Sequence, residues 1–171
     1  MTTSAPSAEH RAILRYLTSE RNHIREIISG LPEADLREPR VPSGWPILAL
    51  FQHLTWDMDF FWFRCVIAGD TDAFAKLDAR PNAWKFDPAT STDSVLAAWE
   101  KGIEEANAIF LSTDLDAAPG WWPAEVFGDW RLDSNREVLM HVLAETSCHA
   151  GHLDIVREFI DGRQFLVLPD D

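Results

Sequence analysis

Apolar residues recur at spacings of three and four along the first long stretch of the chain, residues 8–29. They are Ile13, Leu14, Leu17, Ile24, Ile27 and Ile28. This spacing places apolar side chains on one face of an α-helix. Gly30 and then Leu31-Pro32 follow, and both disfavour continuation of a helix. The pattern therefore predicts a first helix over residues 8–29.

The same spacing recurs over residues 47–68, 92–112 and 134–161, which predicts three further helices. Residues typical of helix ends flank these stretches: Ser43 or Gly44 before the second helix, Gly69 after it, Ser91 or Thr92 before the third, Ser134 before the fourth and Gly162 after it. Four long helices in a chain of 171 residues favour an all-α fold. We expect a four-helix bundle that forms a single domain over residues 1–171.

Long loops are predicted between helices 2 and 3 and between helices 3 and 4. Residues 70–91 contain the helix breakers Pro81-Asn82 and Asp87-Pro88, with room for a short helix over residues 72–77. Residues 113–132 are rich in Asp, Pro, Gly and Trp, which predicts a brief hairpin or a lid, and loops of this length are often functional. Three other segments are expected to be irregular: a frayed leader over residues 1–7, a connector over 31–46 and a short extended tail over 164–168.

Composition narrows the range of partners and compartments. The net charge of −13 and the pI near 4.7 oppose binding to phosphate backbones and anionic membranes, so no nucleic-acid partner is expected. No apolar run reaches the length of a membrane span, and the N-terminal residues lack a signal-peptide pattern. Cys65 and Cys148, the two cysteines, lie on separate predicted helices, which gives no support for a disulfide. We expect a soluble cytoplasmic protein.

Polar residues interrupt the apolar stripe of the fourth predicted helix. At 100° per residue, His141, Glu145, His149 and His152 fall within about 80° of arc, on the stripe that also carries Val138. Because a packed helix turns its apolar stripe inward, these side chains are expected to point at the core. A buried polar group without a partner costs roughly 1–3 kcal/mol. A bound metal ion would satisfy several of them together.

His53 lies on an otherwise apolar face of the second predicted helix, with Asp57 one turn on. Together, His53, Glu145 and His149 supply one ligand from helix 2 and two from helix 4. Three protein ligands leave an open position, as in a catalytic zinc site, although zinc, nickel, iron and manganese all accept these donors. The alternative is that the three are ordinary polar side chains at surface or hydrogen-bonded core positions.

The polar residues near these three candidate ligands permit several roles. His152 is a fourth ligand, a general base or a hydrogen-bond donor to substrate. His141 is better explained as a satisfied core histidine than as a ligand. Cys148 adjoins His149, but adjacent helical residues point about 100° apart, so we do not expect a Cys–His dyad. We expect Cys148 to be a small buried side chain instead. Asp57 either orients a ligand histidine or is a solvated carboxylate.

Three segments of the chain form a recognisable set: Pro42-Ser43-Gly44 leading to Leu50-Phe-Gln-His53-Leu54, His141-Val-Leu-Ala-Glu145 through His149-Ala-Gly-His152, and Asp154-Ile-Val-Arg157 through Gly162. With these segments, the chain resembles the DinB/YfiT-like superfamily of metal-binding four-helix bundles, in the branch that contains mycothiol S-transferases. Many members have His at the position of Glu145 and Gln at that of His152. Mycothiol-dependent maleylpyruvate isomerases have Glu at the former position, which supports His53, Glu145 and His149 as the ligands.

The resemblance implies a metal-dependent thiol S-transferase that conjugates mycothiol to electrophilic small molecules in detoxification. The implied cofactor is a divalent metal ion, with Zn²⁺ expected and Ni²⁺, Fe²⁺ or Mn²⁺ as alternatives. His152 is the expected catalytic residue and handles the proton. Two other functions stay open: a maleylpyruvate-isomerase-like enzyme that regenerates the thiol, and a metal-binding stress protein without turnover. The expected partners are a thiol and an electrophile; a homodimer also stays open.

Overall fold

The computed structural model describes residues 6–165, and this part of the chain is helical with no β-strand. The predicted all-α class is therefore confirmed. The predictions for residues 1–5 and 166–168 lie outside the described residues. The helices are α1 (Ala8–Ile28), α2 (Glu33–Arg37), α3 (Ile47–His53), a π-helical segment (Leu54–Ile67), α4 (Thr71–Asp78), α5 (Thr92–Ser112), α6 (Ala124–Phe127) and α7 (Asn135–Asp161).

Three of the four long helices have the predicted bounds to within a residue, and their ends show why. Ser7, placed in the expected frayed leader, instead caps α1 by accepting from the backbone N–H of His10. Ser91 caps α5 in the same way. Ser134 and Glu137 form a capping box at the start of α7, which ends at Gly162 in the left-handed conformation.

The second predicted helix, residues 47–68, is continuous but changes type. It starts after Pro46 with no side-chain cap, so the predicted caps Ser43 and Gly44 are wrong. At Leu54 the α-helix passes into a π-helix of 14 residues, whereas most π-helical stretches are single turns. Within the first turn, the Thr55 hydroxyl donates to the Phe51 carbonyl over 2.7 Å, a side-chain bond that competes with regular α-helical bonding. His53 is the last residue before this change.

Helix α1 packs along α7, while α5 packs along the π-helical segment. Large apolar side chains fill the space between them, among them Leu17, Ile24, Phe51, Phe63, Trp99, Phe110, Leu139 and Leu153. A buried ion pair crosses this core, since Arg21 of α1 donates to Asp59 of the π-helical segment. Arg21 also donates to the Asn107 side chain of α5 over 2.9 Å, so one guanidinium joins three elements.

The connections contain short helices that the sequence patterns predict incompletely. The short helix expected over residues 72–77 is present as α4. The connector 31–46 holds α2, and the loop 113–132 holds α6 in place of the expected hairpin. That loop is fixed to the end of the π-helical segment where Gly120 meets Gly69. A Cβ on Gly120 would come within 2.9 Å of the Ile67 carbonyl oxygen, so this close approach requires glycine.

None of the helices between residues 6 and 165 is both long and apolar enough to cross a membrane. Cys65 is buried in the π-helical segment and Cys148 is exposed on α7, and both are free thiols. Burial raises the pKa of the Cys65 thiol to about 11, with the nearby Asp70 carboxylate adding to the effect, so that thiol is inert near neutral pH.

Candidate functional site

His53 and His149 face each other across the interior of the fold. The Nε2 atom of His53, at the end of α3, lies 3.1 Å from the Nε2 atom of His149 on α7. His149 is buried at 8% exposure, and the His53 side chain is largely enclosed. The apolar residues on both sides of each histidine bury the helix faces that carry them. Two residues 96 apart in sequence therefore meet because α3 and α7 pack into a common core.

Asp57 orients the ring of His53. Its carboxylate oxygen Oδ2 lies 2.8 Å from His53 Nδ1. Because a carboxylate only accepts hydrogen bonds, this contact places the ring proton on Nδ1 and leaves a lone pair on Nε2, directed at His149. Histidines that bind metals commonly have this arrangement. Trp84, from the loop between α4 and α5, stacks on the same ring with centroids 4.5 Å apart.

Glu145 lies beside the histidine pair at its solvent side. Its Oε2 atom is 3.8 Å from His149 Nε2, and its side chain is 42% exposed. The expectation that the whole polar stripe of α7 points at the core is therefore wrong, since only His149 is buried and His152 is exposed. The buried arc of α7 is centred on apolar residues such as Val142 and Leu153, so Glu145 and His152 lie at its edge.

His152 lies one turn beyond His149. Its Nδ1 atom is 3.4 Å from His149 Nδ1, and its Nε2 atom is 3.9 Å from the sulfur of Cys148. The expectation that Cys148 is a small buried side chain is wrong, because its thiol is exposed. The dyad with the adjacent His149 is absent, as expected, but the i,i+4 spacing brings Cys148 to His152 instead.

His141 is separate from the histidine pair. Its half-buried ring packs edge-on against Trp62 and Trp130, with centroids 4.7 and 5.4 Å away. Burial lowers the pKa of His141, and the negative charge of Glu145 opposes the shift only in part. This environment agrees with a packing role for His141.

The environment of His149 keeps its imidazole neutral. Burial, together with the positive charges that His53 and His152 carry when protonated, lowers the pKa of His149 to about 4, and burial is the largest of these causes. At neutral pH the ring therefore retains a free lone pair. Neutral imidazole is the form that binds metal ions and accepts protons.

Two cavities flank the histidine pair, and Trp84 lines both. One has a volume of about 470 Å³ and a mainly apolar wall that includes Val41, Trp45 and Ile155; His149 and His152 open into it. The other has a volume of about 380 Å³ and a more polar wall. Asp57 lines this second cavity, which connects it to His53 through one hydrogen bond.

The donor atoms suit a divalent metal ion, but their arrangement is open. No three His, Cys, Asp or Glu side chains within residues 6–165 form a metal-binding group. Around a tetrahedral zinc ion with bonds of about 2.0–2.2 Å, donor atoms lie roughly 3.4 Å apart. The observed separations are 3.1 Å between the two histidine nitrogens and 3.8 Å from His149 to Glu145, on either side of that value. The imidazoles of His53 and His149 and the carboxylate of Glu145 suit such an ion in chemistry, and these two separations lie near the spacing that it requires.

The sequence patterns gave no indication of Gln52 and Trp84, which lie next to the predicted ligands. Trp84 lies in a loop and has no periodicity to mark it. It is one of eight tryptophans in the chain, and the count alone does not single it out. Gln52 directly precedes His53, and its Oε1 atom is buried without a hydrogen-bond partner among the described residues. Such an orphaned acceptor is visible only in three dimensions.

Comparison with known protein families gives one finding. The sequence model of the family described as mycothiol-S-transferase matches residues 12–162. The matched range runs from within α1 to the residue after α7 and contains every residue of the site described above. No curated protein matches the chain.

Proposed function

The chain belongs to the mycothiol S-transferase family, within the DinB/YfiT-like superfamily, and we propose that it conjugates a low-molecular-weight thiol to electrophilic small molecules. Mycothiol is the proposed thiol. The observation that carries this proposal is the pair of facing histidine nitrogens, 3.1 Å apart, beside a mainly apolar cavity of about 470 Å³. An arrangement of this kind suits a reactive sulfur next to a site for an apolar substrate.

His53, Glu145 and His149 would hold the divalent metal ion of this enzyme, with Zn²⁺ as the proposed ion. When bound, such an ion lowers the pKa of a thiol and stabilises the thiolate at neutral pH. Asp57 keeps the Nε2 lone pair of His53 directed inward, and the buried His149 stays neutral. The carboxylate of Glu145 offsets part of the positive charge of the cation.

We assign the movement of the proton to His152. Its imidazole lines the apolar cavity next to His149, where it takes up the proton that the thiol loses. The sulfur lone pair then forms a C–S bond with the electrophilic carbon. The displaced leaving group departs with its bonding electrons, or the carbon skeleton takes up a proton if the reaction is an addition. Val41, Trp45 and Ile155 provide the apolar wall against which the electrophile binds.

The architecture proposed for this activity is a single domain built as a four-helix bundle. Helix α1, α3 with the π-helical segment, α5 and α7 are its four long members. The packing of α1 on α7 and of α5 on the π-helical segment supports this proposal. The predicted ligands then come from the second and fourth members of the bundle.

The test measures metal content per chain and the rate of S-conjugate formation in four variants. His53→Ala and His149→Ala should lose metal and activity together, and Glu145→Gln should weaken both. His152→Ala should retain most of the metal and lose rate. His23→Ala is the matched control, because His23 pairs with Asp154 at 2.9 Å and lines neither cavity that flanks the histidine pair.

Four results would change the proposal. Full metal content and full activity in His149→Ala would refute it. Loss of metal in His152→Ala would make His152 a ligand. An isomerised product with no S-conjugate would favour the maleylpyruvate-isomerase-like reaction, and bound metal without any thiol-dependent activity would favour a non-catalytic protein.

A further inference from the structure

The second cavity has no role in the reaction proposed above. It shares Trp84 with the apolar cavity as a lining residue and has a volume of about 380 Å³. The aromatic side chains Trp56, Phe74 and Trp84 contribute its apolar surfaces. Asp57 connects it to His53, so a molecule bound there lies next to the histidine pair.

Gln52 lines this cavity and carries an acceptor that no described donor uses. Its Oε1 atom is buried and has no hydrogen-bond partner between residues 6 and 165. A buried acceptor without a donor is unfavourable, so a ligand that brings an O–H or N–H group would favour rotation of the flexible Gln52 amide towards the cavity. Gln52 immediately precedes His53 in the chain, and Asp57, which accepts from the ring of His53, lines the same cavity.

The charges of the cavity wall balance. Arg80 and Lys85 supply two positive charges, and Asp57 and Asp78 supply two negative ones. The Arg80 guanidinium lies 3.7 Å from the centroid of the Trp56 ring, which holds it against the aromatic wall. A wall without net charge does not select an anion or a cation. Its mixture of donors and acceptors suits a neutral molecule that offers both.

A neutral, hydroxyl-rich ring compound meets all of these conditions. Its hydroxyl groups donate to Gln52 and the carboxylates and accept from Arg80 and Lys85, and its C–H faces pack on the tryptophan rings. We propose that this cavity binds the hydroxyl-rich, sugar-like body of the thiol co-substrate. The sulfur then lies at the histidine pair, while the electrophile occupies the apolar cavity. This inference rests on the proposed thiol S-transferase function.

The test separates binding of the thiol body from the chemistry of the sulfur. Intrinsic tryptophan fluorescence of the metal-loaded protein is titrated with S-methyl mycothiol, which binds without reacting. Gln52→Met removes the acceptor and keeps the length of the side chain, and we expect its dissociation constant to rise about tenfold, the effect of one hydrogen bond. Arg80→Met, at an exposed position, should raise it several-fold. Gln164→Met, on the exposed C-terminal segment, is the matched control and should bind as the wild type does.

Conjugation kinetics provide the second readout. Gln52→Met should raise KM for mycothiol and leave the kinetics with N-acetylcysteine, a thiol without a sugar, unchanged. Equal binding of S-methyl mycothiol to wild type and Gln52→Met, or no binding to either, would overturn the inference. Wild-type protein that binds S-methyl mycothiol but forms no S-conjugate would instead refute the proposed function and leave the cavity assignment supported.

Discussion

At the scale of single residues, the contact between Asp57 and His53 determines which nitrogen of the ring faces the site. We expect Asp57→Ala to lower the affinity for Zn²⁺ by about 10–100-fold, as removal of such an orienting carboxylate typically does. The affinity is measured by competition with a zinc indicator. Asp78→Ala removes another carboxylate from the same cavity without touching His53, so its affinity should stay near that of wild type. Equal affinity of both variants and wild type would contradict the orienting role.

The low pKa of His149 makes the metal-free protein sensitive to acid. In the folded chain this pKa is about 4, compared with an ordinary value of 6.5. As the pH falls through 6.5, His149 becomes protonated in the unfolded chain but stays neutral in the folded chain. The free energy of unfolding therefore decreases between about pH 6.5 and pH 4. Below pH 4 both states are protonated and this contribution no longer changes.

Urea unfolding in the presence of a chelator measures this effect. His149→Gln, which has no titrating ring at this position, should lose less stability than wild type between pH 6.5 and pH 4. The neutral amide side chain of the introduced glutamine occupies a space similar to that of the histidine ring. Parallel decreases in both proteins across this range would show that other groups account for the acid sensitivity.

The sequence predicted part of the site because part of it follows helical spacing. Glu145 and His149 are one turn apart, and the turn geometry of α7 is regular. The apolar neighbours of His53 indicated that it faces inward, and it does. Gln52 and Trp84 were not predicted, because their importance depends on which loop covers α3 and on which acceptors lack a donor. Neither property is encoded in local periodicity.

At the scale of elements, the π-helical segment was the largest departure from prediction. Its apolar residues recur in a pattern that also fits an α-helix, so residues 47–68 were correctly predicted as helical but not as π-helical. Local bonds such as that of the Thr55 hydroxyl accompany the change of type, and periodicity does not report them. The short helices α2 and α6 were not predicted, because helices of four or five residues are too short to show the helical repeat of apolar residues.

The buried pair of Arg21 and Asp59 ties α1 to the π-helical segment. Burial raises the pKa of the Asp59 carboxyl, and the neighbouring guanidinium opposes this shift. We expect Arg21→Met to destabilise the protein by about 3–5 kcal/mol in urea unfolding, because it leaves a buried carboxyl without its partner. The double variant Arg21→Met with Asp59→Leu should recover most of this loss.

Arg25 supplies the matched control on the same helix. It pairs with Glu100 across a half-exposed surface, so Arg25→Met should cost no more than about 1 kcal/mol. Similar losses in Arg21→Met and Arg25→Met would show that burial adds nothing to the importance of the inner pair. A double variant less stable than Arg21→Met would argue against an isolated buried charge as the cause.

At the scale of the whole molecule, the all-α class and the positions of the long helices followed from the sequence, while the contacts that the loops make did not. Gly69 was predicted as a helix stop, and it is one, with a positive φ of 71°. Its second role, to allow Gly120 to approach and to fix the loop 113–132, depends on a contact between residues 51 apart in the chain. Such contacts are set by the assembled fold.

The last prediction concerns the coupling between the metal site and global stability. The proposed ligands come from α3 and α7, so an ion bound there joins two parts of the fold that the chain connects only through some ninety intervening residues. A ligand that binds only the folded state at 100 times its dissociation constant stabilises it by about 2.7 kcal/mol. For a domain of this size that corresponds to an increase in Tm of roughly 5–10 °C. We therefore expect Zn²⁺ to raise the Tm of the wild type in calorimetry and to leave His149→Ala unchanged, while His23→Ala should respond as wild type does. An equal increase in His149→Ala would place the stabilising ion elsewhere, because that variant lacks the buried imidazole that faces His53.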